Sequence, residues 1–163
     1  MPAYIVVIPQ YAEHVVLSKS RRPSYKILTD GRRVLTNPRT AGKPRLWKIN
    51  GQSLFQQMGF HKRSFVIKKL KEYLWSFVDK QLPIIDKYPI RIELLMYNVI
   101  DKGDWDIDNR SWPFFKCFQD VMVATGKIPD DNCHIIDDTG RCRFIPISDS
   151  AKRKLVFRIH VPK

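Results

Sequence analysis

Pro89-Ile-Arg-Ile-Glu-Leu-Leu-Met-Tyr-Asn98 decides the fold. Ile90, Ile92, Leu94 and Met96 alternate with other residues, the period-2 pattern of a strand with one buried face. A polar loop follows through Gly103. Ser111 is placed to cap a helix whose first turn tolerates Pro113. The apolar stripe of that helix is Phe114, Phe118, Val121 and Met122, and Gly126 is placed to end it. A strand, a loop and a helix in that order define the centre of the chain.

Working outward, Tyr4 to Ile8 reads as a strand ending at Pro9. From Lys62 to Asp79, Val66, Leu70, Tyr73, Leu74 and Phe77 form the stripe of an amphipathic helix. Lys68, Lys69 and Lys71 lie largely off it. Asp30-Gly31 sits between two short β-forming runs and signals a type I′ hairpin. Asn37 to Arg45 is punctuated by Pro and Gly and reads as a loop. After the second helix, two short strands are expected near Cys133–Ile136 and Cys142–Ile147, with Asp138-Thr-Gly140 turning between them. Lys154–Val161 reads as a last strand. Strands, helix, strand, helix, strands predict one α+β domain, with a small mixed sheet and two main helices.

The 163 residues carry 29 Lys and Arg against 16 Asp and Glu, a formal net charge of +13. That balance calls for a polyanion, with nucleic acid ahead of a membrane surface. No apolar run approaches the ~20 residues of a membrane span. The N-terminus lacks the basic and apolar regions of a secretory signal. Three cysteines fit reduced thiols in a cytoplasm. Cys117, Cys133, His134 and Cys142 contain no Cys-x₂-Cys pair, which speaks against zinc.

The charge is unevenly spread. Residues 1–60 hold ten basic and two acidic residues, net +8. Residues 61–100 are +4 and residues 139–163 are +6. Residues 101–138 reverse the sign, with four basic residues against nine aspartates, net −5. Crowded carboxylates repel one another unless a cation sits among them. Within this island, Asp106 and Asp108 point to one face if the chain is extended there. Two such carboxylates can hold a divalent cation, and Asp130-Asp131, a short loop after the second helix, can supply a third. Mg²⁺ prefers such oxygen ligands, and a site of this kind activates a water against a phosphodiester. The plain alternatives are solvated turn aspartates at 106 and 108, turn chemistry at 130 and 131, and an ordinary i, i+4 helix pair of Lys116 with Asp120. Arg21, Arg22, Arg45 and Lys48 belong to a basic run interrupted by Tyr25 and Trp47, which suits contacts to phosphates. Arg110 adds a cation beside the aspartates. Trp112 reads as core.

Asp106-Ile-Asp108-Asn109, Lys116, Asp120, Gly126 and Asp130-Asp131 together resemble the RusA family of Holliday-junction resolvases, metal-dependent endodeoxyribonucleases often carried by prophages. The resemblance covers residues 88–163 as the catalytic core. Residues 1–60, the basic part with the hairpin, match it loosely. It implies that Asp106, Asp108 and Asp131 ligate Mg²⁺, with Mn²⁺ as a substitute and no organic cofactor. It places Lys116 near the scissile phosphate, with Asn109 and Asp130 as supports. It also implies a homodimer that nicks four-way DNA symmetrically in recombination and repair. The same residues are open to a junction-binding protein without catalysis, or to a nuclease of this fold acting on other DNA. Arg110–Phe115 makes the step from Asn109 to Lys116 about four residues longer than the family pattern. That extra length is either one more helical turn or a bulged entry loop.

Overall fold

A computed structural model describes residues 3–11, 13–18, 20–52, 54, 59–99 and 106–163, apart from the side chains of Ser18 and Asp108. Its contacts divide the chain into two compact units. One runs from residue 1 to 12 and from 49 to 163, and the other is Glu13–Lys48.

The larger unit holds the mixed sheet and both helices. Strands β1 (Tyr4–Pro9), β6 (Ile90–Asn98), β7 (Ile136–Pro146) and β8 (Lys154–His160) lie in the order β1-β8-β6-β7. β8 is antiparallel to β1 and β6, whereas β6 and β7 are parallel. Parallel neighbours need a crossover, and helix α2 (Ile107–Ala124) supplies it. Helix α1 (Phe60–Gln81) packs on β1 and α2, and α2 packs on β6 and β7.

Alternation decides which side chains face the helices. Val6 and Ile8, Ile90, Ile92, Leu94 and Met96, and Leu155, Phe157 and Ile159 are all buried. Against them come Val66, Leu70, Leu74 and Val78 of α1, then Phe114, Phe118, Val121 and Met122 of α2. Tyr73 and Phe77 of the expected α1 stripe are only half-buried, and Val78 takes the last core position. Phe118 stacks on Phe157 at 3.8 Å, and Phe115 meets Phe157 edge-on at 6.1 Å. Such rings are the largest apolar contributors to a core of this size.

Edge strand β1 is protected by a side chain. Gln81 accepts from the Val7 N–H at 2.8 Å and donates to the Val7 carbonyl at 2.9 Å. One amide thus takes the place of a neighbouring strand residue and blunts a bare edge. The opposite sheet face carries a charge ladder in which Arg91 pairs with Asp138 at 3.0 Å and His160 lies 3.3 Å from Glu93.

Several expectations of local structure are corrected, and the strand expected near Cys133–Ile136 is a turn up to Ile135. Asp138-Thr-Gly140 is not a turn: it lies inside β7, a single strand whose pairing with β6 shifts register around Arg91. The Arg91–Asp138 ion pair joins that stretch to the sheet. α2 is not capped by Ser111 but starts at Ile107, so Pro113 sits inside it. Trp112 is not core but 46% exposed, because the buried positions 111, 114, 115, 118, 121 and 122 take the opposite face of α2. Gly126 ends the helix as expected, with φ +68 and its N–H on the Val123 carbonyl.

The smaller unit is two antiparallel pairs. β2 (His14–Ser18) pairs with β5 (Arg45–Lys48), and β3 (Tyr25–Ile27) pairs with β4 (Arg33–Leu35). The hairpin falls where Asp30-Gly31 predicts, but its turn differs. Leu28 and Arg32 close a three-residue loop in which only Gly31 takes positive φ, +79. A type I′ turn needs positive φ at both central residues, so this is the bulged three-residue form. Arg33 lies over the Tyr25 ring at 3.9 Å. No helix among the described residues is long and apolar enough to cross a membrane.

Candidate functional site

The Asp motif lies where β6 hands over to α2. Asp106 is the N-cap of α2, and its carboxylate accepts from the Asn109 backbone N–H at 3.2 Å. The Asn109 side-chain amide donates to its second oxygen. Asp106 and Asp108 are therefore not on one face of an extended segment, which corrects that reading. Aspartate is a preferred cap and favours the positive end of the helix dipole, so the chain turns helical immediately after it. Asp108 falls in the first helical turn, and its side chain lies outside the described residues. Asp101, Asp104 and Trp105 also lie outside them.

The stretch from Arg110 to Phe115 is helical throughout and forms no bulged entry loop. At 100° per residue, Asn109, Lys116 and Asp120 come round to one side of α2. Pro113 has no N–H to offer the Asn109 carbonyl. That carbonyl faces Gly51, where an added Cβ would lie 3.4 Å from it.

Lys116 is the centre of a second group. Its ammonium donates to Asp131 and lies 3.0 Å from Asp120. Lys71 of α1 also reaches Asp120, at 2.5 Å. Asp130 orders the loop that carries Asp131, accepting from the Asp131 backbone N–H and the Asn132 amide, both at 2.7 Å. Asp130 thus braces the loop locally. By sequence spacing Lys71 is only a lysine off the apolar stripe. Its place beside the core position Leu70 turns it toward α2, and helical spacing alone does not reveal that.

The electrostatics follow from these contacts. The hydrogen bond it donates to Asp131 holds the Lys116 ammonium above its ordinary pKa against partial burial, and Asp120 adds to the effect. Burial pulls Asp120 up, but Lys71 and Lys116 together outweigh it and hold the carboxyl below its usual value. A depressed carboxylate contributes stability above its unfolded pKa of about 3.9 and loses it as pH falls through the lower folded value. The stability difference between wild type and Asp120→Asn is therefore expected to be flat from about pH 5 to 9 and to vanish in stronger acid. For a pair this exposed it is on the order of 1 kcal/mol at most. Urea titrations at several pH values check this, and a difference that grows in acid contradicts the assignment.

The structure thus yields two groups on α2, Asp106 with Asn109 and Lys116 with Asp120 and Asp131. No hydrogen bond or ion pair joins them among the described residues. Lys116 lies seven positions after Asn109, about 10 Å along the axis. Among the described residues, no three His, Cys, Asp or Glu side chains form a metal-holding group. Cys117 is buried, with its thiol pushed up to about 12 by desolvation, while Cys133 is exposed. The donors that the motif offers to a cation are carboxylate oxygens, a set that suits Mg²⁺ or Mn²⁺ rather than zinc.

Of the basic residues singled out, Arg110 stands in the first turn of α2, next to Asn109. Arg21, Arg22, Arg45 and Lys48 all belong to the smaller unit. That unit contains every charged residue of the first 60, so its net charge is +8. No family model matches the sequence, and no curated protein matches it.

Proposed function

We propose that the chain is a divalent-metal-dependent endodeoxyribonuclease of the RusA type, a cytoplasmic homodimer that nicks branched DNA and above all four-way junctions. The observation that carries the reading is the side of α2 where Asn109, Lys116 and Asp120 align, with Asp106 and Asp131 hydrogen-bonded to it. Carboxylates beside a lysine are the parts needed to hold a cation and meet the charge of a phosphodiester. Asp106, Asp108 and Asp131 would hold Mg²⁺, or Mn²⁺ in its place. The metal would supply a polarised phosphate and a water of lowered pKa. Lys116 would then turn its ammonium from Asp131 toward the phosphate. Asn109 steadies Asp106, and Asp130 steadies the Asp131 loop. The +8 unit would hold the DNA backbone.

A second reading is a junction-binding protein without catalysis. The Lys116–Asp131 pair favours it, because an ammonium already neutralises a carboxylate that the metal would need. A nicking assay on a synthetic four-way junction, with linear duplex as control, separates the readings. Mg²⁺-dependent paired nicks in the junction alone support the resolvase. Equal cutting of duplex makes it a nuclease of broader choice, and tight binding without nicks leaves only the binding role. Junction affinity is expected to fall steeply with salt, by about 10³-fold or more between 50 and 200 mM if six or more phosphates are contacted. A flat response would remove the basic unit as the DNA face.

A further inference from the structure

Arg21, Arg22 and Arg45 of the smaller unit line one polar cleft of about 440 Å³, together with Ser20 and Asn37. No carboxylate is among its described lining. Three guanidinium groups round one cleft repel each other, and folding alone does not call for that arrangement. The backbone that carries them is well tied. The Arg21 N–H donates to the Lys43 carbonyl at 2.9 Å, and the Gly42 N–H donates to the Arg21 carbonyl at 3.0 Å. Asn37 donates its amide to the Arg22 carbonyl at 3.1 Å and accepts from the Ser24 N–H at 2.8 Å. The positive charges therefore stand on a braced frame rather than on a loose arm.

One donor is also left over. Arg21 Nε is buried and has no hydrogen-bond partner among the described residues. Buried donors of native proteins are nearly always satisfied, by protein, water or an ion. An oxyanion meets both demands, supplying an acceptor for that donor and negative charge for the guanidiniums.

We infer that this cleft is a discrete phosphate-binding site, taking one phosphate or phosphodiester group between Arg21, Arg22 and Arg45. The inference deepens the DNA-binding role proposed for the basic unit by fixing one phosphate position in it. Its test does not pass through cleavage, so the two can fail separately.

Inorganic phosphate is titrated into the full chain in chloride buffer at constant ionic strength, with binding read by calorimetry. One-site saturation is expected. Arg21→Gln and Arg45→Gln are expected to weaken it tenfold or more. Lys26→Gln, which removes the same charge from β3 outside the cleft, is expected to stay within twofold. Thermal melts of each variant separate lost binding from lost folding, and Arg22→Gln replaces any variant that fails to fold. A short DNA duplex added to the phosphate complex identifies the source. Release of phosphate by duplex, with duplex binding also weakened in Arg45→Gln, assigns the cleft to a backbone phosphate. Retention of phosphate assigns it to a free phosphate or nucleotide. Absence of saturable phosphate binding in wild type, or an equal loss in Lys26→Gln, overturns the inference.

Discussion

Asp106→Asn is expected to abolish Mg²⁺-dependent nicking of a four-way junction while leaving the fold intact and junction binding equal or tighter. Asparagine caps a helix about as well as aspartate, so α2 keeps its start at Ile107 and the bond from the Asn109 N–H. What disappears is a negative oxygen for the metal. Removing a group that merely orients a metal ligand costs about 10–100-fold, so losing a ligand should exceed about 10²-fold. Binding survives because one carboxylate fewer repels the DNA phosphates. Asp131→Asn is expected to do the same to nicking, and it also releases Lys116, which keeps Asp120 as a partner. Asp106→Ala is the useful contrast, since it loses the cap as well and should cost about 1 kcal/mol in stability. Single-turnover nicking, gel shifts and urea melts on the same preparations check all three. Wild-type nicking by either Asn variant would falsify the metal assignment.

Phe118→Ala is expected to destabilise the larger unit by about 3–5 kcal/mol. Phe118 is fully buried, lies flat on Phe157 of β8 at 3.8 Å, and belongs to the helix that crosses from β6 to β7. Truncation removes the ring-to-ring contact and opens a cavity between helix and sheet. A domain of 5–15 kcal/mol total stability then approaches its threshold. The effect should appear as a lower urea midpoint at unchanged slope. Phe157→Ala should cost a similar amount, and the double variant less than the two together, because both remove one shared contact. A loss below 1 kcal/mol for Phe118→Ala would mean that this stack does not hold α2 to the sheet.

The two predictions rest on different kinds of legibility. Phe118 was readable, because positions 114, 118, 121 and 122 repeat at helical spacing and nothing local opposes a helix there. The β6 strand was readable for the same reason, with Ile90, Ile92, Leu94 and Met96 at period 2. The start of α2 was not readable, because an aspartate that can ligate a metal is also a good helix cap. Neighbouring residues do not say which use wins, and here Asn109 closes the cap. Asp138-Thr-Gly140 was misread for a related reason. Its residues suit a turn, and the pairing of β7 with β6, together with the ion pair to Arg91 47 residues away in sequence, sets Asp138 in a strand.

The sequence by itself determined the classes of element, the apolar faces, the α+β order and the separation of basic from acidic segments. Each of these follows from periodicity or composition, which act over a few residues. Only the tertiary structure decided that Lys71 reaches Asp120, that Lys116 holds Asp131, and that Arg21, Arg22 and Arg45 share one cleft. Those pairings join residues distant in the chain. Their geometry depends on how α1 packs on α2 in the one unit, and on how the strands and loops meet within the other. Local propensity carries no information about a partner that folding has yet to bring near.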